Sequence, residues 1–269
     1  MVKKLFKYEF LAFLRVWLPT LAVLFGISLI GRIIQIFETD STVYQIINGF
    51  SIFTYVVAIF VLLGVATVFS IVRFYKNLFT GEGYLSFTLP VTPTQHILVK
   101  AFTAIAMHFA TLVAILISFC IFTFGDVFLE FSKAGNYLFA IALKDLKFHL
   151  IFYILECLVL FTAILLSQFL FYATCISIGQ LFKKNRVLAA VGVYFGFYML
   201  SQILSTIFTV LFAVFGEYIP IEKISNFFTA HPQASVHIIF CALILLTLIS
   251  AVIYFFVTKT IIKRKLNLE

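Results

Sequence analysis

Residues 73–100 read RFYKNLFTGEGYLSFTLPVTPTQHILVK, a charged and glycine-interrupted stretch set between two long apolar runs. Runs of that length predict helices that cross a bilayer, and the stretch between them then lies in water at one membrane face. The rest of the chain agrees. Of 269 residues, 63% are hydrophobic and 11% charged, mean hydropathy is +1.15, and Phe alone occurs 36 times. A soluble domain carries about 25% charged residues. So little charge cannot cover a water-facing surface, and the composition predicts an all-α integral membrane protein in a single transmembrane domain, residues 1–269.

Working outward, residues 47–72 and 96–124 are the flanking spans, with further spans at 16–37, 148–178, 188–216 and 236–258, six in all. Each is long enough for a core of roughly 30 Å at about 1.5 Å per residue, and only helices satisfy their own backbone groups in lipid. Residues 1–15, MVKKLFKYEFLAFLR, place Leu5, Phe6, Phe10 and Phe13 at helical spacing among Lys3, Lys4, Lys7 and Arg15, which predicts a separate amphipathic helix lying in the interface. A signal peptide is rejected: there is no A-x-A-like site, and the apolar run continues to Phe37. Trp17 reads as an interfacial anchor and Pro19 as a first-turn proline. Residues 125–147 read as an interfacial helix. For 217–235, with Pro220 and Pro232, a re-entrant segment and a surface-lying one stand equal.

Lys and Arg concentrate on one side of this plan: Lys3, Lys4, Lys7, Arg15, Arg73, Lys76, Lys100, Lys183, Lys184, Arg186, Lys259, Lys263, Arg264 and Lys265. Only Arg32, Lys133, Lys144, Lys147 and Lys223 fall opposite. The positive-inside rule makes the first side cytoplasmic, with both termini inside. The net charge of +8 is therefore a topology signal rather than a nucleic-acid footprint.

The chain carries no G-x-x-x-x-G-K-[ST], H-E-x-x-H or G-x-S-x-G, so catalysis and nucleotide binding are not expected of it. Gly81-Glu82-Gly83 is too short a signal for a nucleotide and reads as a helix break. Cys120, Cys157, Cys175 and Cys241 lie in apolar runs and read as buried thiols, without metal spacing. Thr92, Pro93 and Gln95 form a helix-start signal. The element between, with Tyr84, Leu85, Phe87 and Leu89, either inserts into a groove of a soluble partner or lies on lipid headgroups. Spacing alone leaves both open.

The pattern R-F-Y-K-N-L-F-x-G-E-G-Y-L-x-F-T-L-P-V-T-x-x-Q-x-I-L-x-K, with the opening K-K-L-x-K-Y-E-F and the six-helix plan, resembles bacterial ABC transporter permease subunits of the type-2 exporter class. The resemblance implies a bacterial cell membrane, an interfacial N-terminal helix, and a coupling helix between spans 2 and 3. It also implies a second permease subunit, identical or not, and two cytosolic ABC ATPase subunits that carry the ATP and Mg. Carried over, Glu82, Tyr84, Leu85, Phe87, Leu89 and Pro90 belong to the coupling element at 73–95. The implied activity is export of an amphipathic substrate such as a peptide antibiotic, a lipid or a drug-like compound. The resemblance also favours re-entrance at 217–235.

Polar groups inside the spans are the other candidates. Arg32 and Glu156 fall about 8 and about 11 Å below the same membrane face, which allows an ion pair. His108 and Gln168 share a depth nearer the opposite face. All four line a substrate path or tie helices together. Gly192-x-x-x-Gly196 allows close helix approach, either between two copies, as the resemblance implies, or within the chain. Two other functions compete: an ion-gradient-driven transporter, for which only Glu156 and His108 offer a relay, and a non-transporting immunity or adaptor protein.

Overall fold

A computed structural model describes residues 2–88, 90–146, 148–182, 184–216 and 221–264. Its described residues hold helices and no strand. In chain order these are α1 (Val2–Ile36), α2 (Thr42–Phe79), α3 (Gly81–Thr88), α4 (Pro93–Phe122), α5 (Asp126–Leu146), α6 (His149–Gly179), α7 (Arg186–Phe215), α8 (Ile221–Ala230) and α9 (Pro232–Arg264). Six of them, α1, α2, α4, α6, α7 and α9, are long and apolar enough to cross a membrane, and the chain is a multi-pass membrane protein. Large apolar side chains stay exposed along all six, as lipid-facing helices require.

The chain divides into two compact units, residues 1–74 with 87–145 and residues 75–86 with 146–269. In the first unit α1, α2 and α4 share a core of Phe13, Trp17, Leu24, Tyr55, Leu62, Ala66, Met107, Ala114 and Phe122. Polar links fix the register. Trp17 Nε1–H donates to Thr111 Oγ1 at 2.9 Å, so α1 and α4 run parallel with the pairing that Glu9 makes to Lys100. Tyr55 OH and Ser118 Oγ lie 2.9 Å apart, and Thr67 Oγ1 and His108 Nε2 3.2 Å apart, so α2 runs antiparallel to α4. The Tyr55 ring stacks on Phe122 at 4.3 Å.

Three expectations change here. Residues 1–15 do not form a separate interfacial helix: α1 is continuous for 35 residues, with no break between Arg15 and Val16. At about 1.5 Å per residue it is about 52 Å long, well beyond the hydrocarbon core. Its first turns lie beside α4, where Val2, Lys3 and Phe6 share a groove with Val99 and Phe102. Pro19 is therefore inside a helix, withholding an N–H from the Arg15 carbonyl, while the Thr20 hydroxyl turns back to the Trp17 carbonyl at 2.8 Å. Trp17 is 7% exposed and belongs to the core, not to an interfacial belt.

In the second unit α6 and α9 run parallel along a polar seam. Ser167 and Ser250 hydroxyls meet at 2.8 Å, Thr174 and Thr258 at 3.0 Å, and Thr174 also donates to the Tyr254 carbonyl at 3.1 Å. Hydroxyls replace bulk at these positions, so the helices approach closely while each hydrogen-bonding group keeps a partner. α7 returns antiparallel against α6. Gly179 permits the turn: a Cβ there would sit 2.7 Å from the Ala190 backbone. Of the 217–235 segment, 217–220 lie outside the described residues. The rest forms α8, about 15 Å long at its ten residues and too short to cross, and the start of α9. Only Cys175 is buried; Cys120, Cys157 and Cys241 are exposed on helix faces, contrary to the expectation of four buried thiols.

Candidate functional site

The stretch between α2 and α4 contains a helix of its own. α2 ends at Phe79, the chain bends at Thr80, and α3 begins at once with Gly83 N–H donating to the Thr80 carbonyl at 2.7 Å. Gly81 and Gly83 thus open a helix rather than interrupt a loop, and Gly83 is buried. Glu82 occupies the first turn, where a negative charge complements the helix dipole. Glu82, Tyr84 and Pro90 are exposed, Tyr84 by 57%. Leu85 and Phe87 are within α3; Leu89 lies outside the described residues. The next helix starts as its sequence predicts. Gln95 N–H donates to Thr92 Oγ1 at 3.4 Å, Thr92 N–H donates to Gln95 Oε1 at 3.0 Å, and Pro93 takes the first helical position.

Both ends of this stretch converge on one carboxylate that sequence reading did not single out. Glu9 Oε2 accepts from Arg73 Nε at 2.5 Å, and Glu9 Oε1 accepts from Lys100 Nζ at 2.6 Å. Lys100 Nζ also reaches the Arg73 carbonyl at 3.4 Å. Glu9 is 5% exposed and Lys100 7%. A buried carboxylate with two cations and charge-assisted bonds on both oxygens is a fixed geometric element, because loss of one partner strands the others in an apolar setting. The signal available in sequence was a single acid in an otherwise basic N-terminal stretch. α3 lies in sequence between the two helix ends that this acid holds.

The intramembrane candidates do not pair as depth suggested. Glu156 Oε1 lies 2.8 Å from His237 Nδ1, so its partner is on α9 rather than Arg32. The Arg32 guanidinium instead packs over Gly125, whose φ of +118° and missing Cβ leave room for it. His108 joins α2 to α4 through Thr67 and bonds the Ala104 carbonyl at 2.8 Å, a helix-tying role. Gln168 Nε2 donates to Tyr172 OH at 3.0 Å. It lines a groove of about 740 Å³ between α6, α7 and α9, walled by Phe171, Tyr194, Phe197, Tyr198 and Tyr254, with Ser167, Ser201 and Thr247 as the other polar groups. Among the described residues no charged side chain lines it.

Gly192 and Gly196 are exposed, and a Cβ on either would meet nothing within 4 Å. The close approach within the chain is made by Gly179, so the Gly-x-x-x-Gly face of α7 is open.

No protein-family model, no curated protein and no solved structure matches the chain. The functional reading rests on its residues.

Proposed function

We propose that this chain is the membrane-spanning permease subunit of an ATP-driven exporter, and that α3 is where a cytosolic ATPase subunit docks. The observation that carries the reading is the placement of α3. It is an eight-residue helix with Glu82 and Tyr84 exposed, set between two membrane helices whose near ends, Arg73 and Lys100, are clamped to Glu9. In this reading a push on α3 passes along the chain to the helices before and after it, which Glu9 ties to each other. With no P-loop in the sequence, the energy-converting chemistry belongs to partner subunits that bind ATP and Mg.

In this reading two ATPase subunits close on ATP, push on α3 of each of two permease subunits, and reorient the spanning helices. The basic ends at Arg73, Lys100 and Lys259–Arg264 face the cytoplasm of a bacterial cell. The open Gly192–Gly196 face of α7 is where the second permease subunit packs. The aromatic groove beside Gln168 suits an amphipathic cargo: ring faces for its apolar part, hydroxyls and one amide for its polar part. The test is assembly. The chain is purified with a P-loop ATPase, sought first in the adjacent reading frame, with and without Tyr84→Asp. Loss of the ATPase from the variant supports docking at α3, and full retention refutes it.

A further inference from the structure

At the end of the α6–α9 pair where both helices begin, three titratable side chains stand in series. His149 Nδ1 and His237 Nε2 are 3.0 Å apart, and His237 Nδ1 is 2.8 Å from Glu156 Oε1. The Tyr153 ring stacks on His237 at 4.5 Å, and its hydroxyl donates to the Gln233 carbonyl at 3.2 Å, which fixes the ring in place. His149 is the first residue of α6, whereas Glu156 lies two turns deeper, about 10 Å along the helix. Glu156 Oε2 is buried and has no hydrogen-bond partner among the described residues.

A link that only ties two helices needs one hydrogen bond between groups of fixed protonation. Here every link joins groups that exchange protons, and either imidazole nitrogen can donate or accept. A carboxylate with a buried, unpartnered oxygen is costly in apolar surroundings unless a cation touches it. The imidazolium form of His237 is such a cation. It donates through Nδ1 to Glu156 and through Nε2 to His149, and it meets the face of Tyr153. Among the described residues no three His, Cys, Asp or Glu side chains are arranged to hold a metal ion, so the proton is the cation that fits.

We propose that His149, His237 and Glu156 form a proton-binding site loaded from the His149 end. A proton from water adds to His149 Nε2, and the proton on His149 Nδ1 passes to His237 Nε2. The charge then rests as a His237 imidazolium against the Glu156 carboxylate, with no other bond altered. Occupancy holds the start of α6 to the start of α9, so the pairing of these helices responds to pH on that side of the membrane. The inference stands apart from docking at α3.

Other titratable groups around the site are few. On α6 and α9 they are Tyr153 and the exposed thiols Cys157 and Cys241. The packed α8 brings Lys223, and His231 follows it with its ring against Phe227. The later turns of α7, which lie alongside this end, carry no titratable residue after Tyr198.

The test is a pH titration of histidine resonances in the full-length, ring-labelled protein in lipid nanodiscs, from about pH 5 to about pH 8, where imidazoles ordinarily change charge. Expected is a shared curve, the His149 and His237 signals moving together through the same steps. His149→Gln should leave His237 with one step, and Glu156→Gln should alter the His237 curve. Unchanged signals of the buried His96 and of His108 in the other unit report that each variant is folded, and His149→Gln, at a helix end, serves if Glu156→Gln is not. Independent single-site curves that neither substitution alters overturn the proposal. So do rings that take up no proton across the range.

Discussion

Lys100 Nζ donates to Glu9 Oε1 at 2.6 Å, joining residues 91 positions apart in the chain and fixing the start of α4 to the N-terminal helix. Arg73 does the same from the end of α2 at 2.5 Å. The two helix ends that bracket α3 are thus referred to one buried carboxylate, and the mechanical part of the proposed function depends on that cluster.

Removing one member strands the others. Glu9→Leu or Lys100→Met should each lower stability by about 3–5 kcal/mol, the usual cost of breaking a buried ion pair. The double variant Glu9→Leu/Lys100→Met should recover part of that loss, because the two sites share one interaction. Thermal unfolding in detergent reads both. Strictly additive losses would mean that the pair is not coupled.

Trp17 is the only tryptophan, so its fluorescence reports one site. Buried against Thr111, it should resist aqueous quenchers and show emission unaffected by headgroup composition. Trp17→Phe should cost about 1 kcal/mol for the lost hydrogen bond, besides any packing change. Ready quenching by acrylamide would return Trp17 to the interfacial role its sequence position suggests.

Gly179 and Gly192 should separate packing within the chain from packing between chains. Gly179→Leu drives a side chain into the Ala190 backbone and should lower the melting temperature by several degrees. Gly192→Leu meets open space and should leave melting nearly unchanged while weakening dimerisation in nanodiscs. A Gly192→Leu protein that melts early and still dimerises contradicts the assignment of the α7 face.

The groove beside Gln168 should be filled by Ser201→Phe, which places a ring among Tyr194, Tyr198 and Tyr254. Binding of a fluorescent amphiphile should fall at least tenfold with little change in melting. Undiminished binding would mean that the groove is not where an amphiphile binds.

These outcomes bear on how far sequence carries. The six spans were legible because twenty-residue apolar runs have one structural solution in lipid. The Thr92–Gln95 start was legible because a capping box is local, with donor and acceptor three residues apart. Long-range pairings were not. Depth along two helices aligned Arg32 with Glu156, but depth says nothing of rotation about each helix axis, and Glu156 faces His237. Glu9 was passed over because its partners are 64 and 91 residues away. The Gly192-x-x-x-Gly196 spacing marked a smooth face without marking which surface covers it, while an unremarkable Gly179 makes the close approach. The four thiols show the same gap: an apolar run places a cysteine in a membrane helix but not on its protein-facing side.

Co-purification tests the docking claim most directly. The chain is expressed together with a P-loop ATPase, taken from the neighbouring reading frame where one is encoded there, and the ATPase retained is quantified for wild type, Tyr84→Asp and Glu82→Lys, with melting temperature as the folding control. The predicted result is a stable wild-type complex, with at least tenfold less ATPase on Tyr84→Asp at unchanged melting. A wild-type chain that retains no ATPase, or variants that retain it in full, would contradict docking at α3.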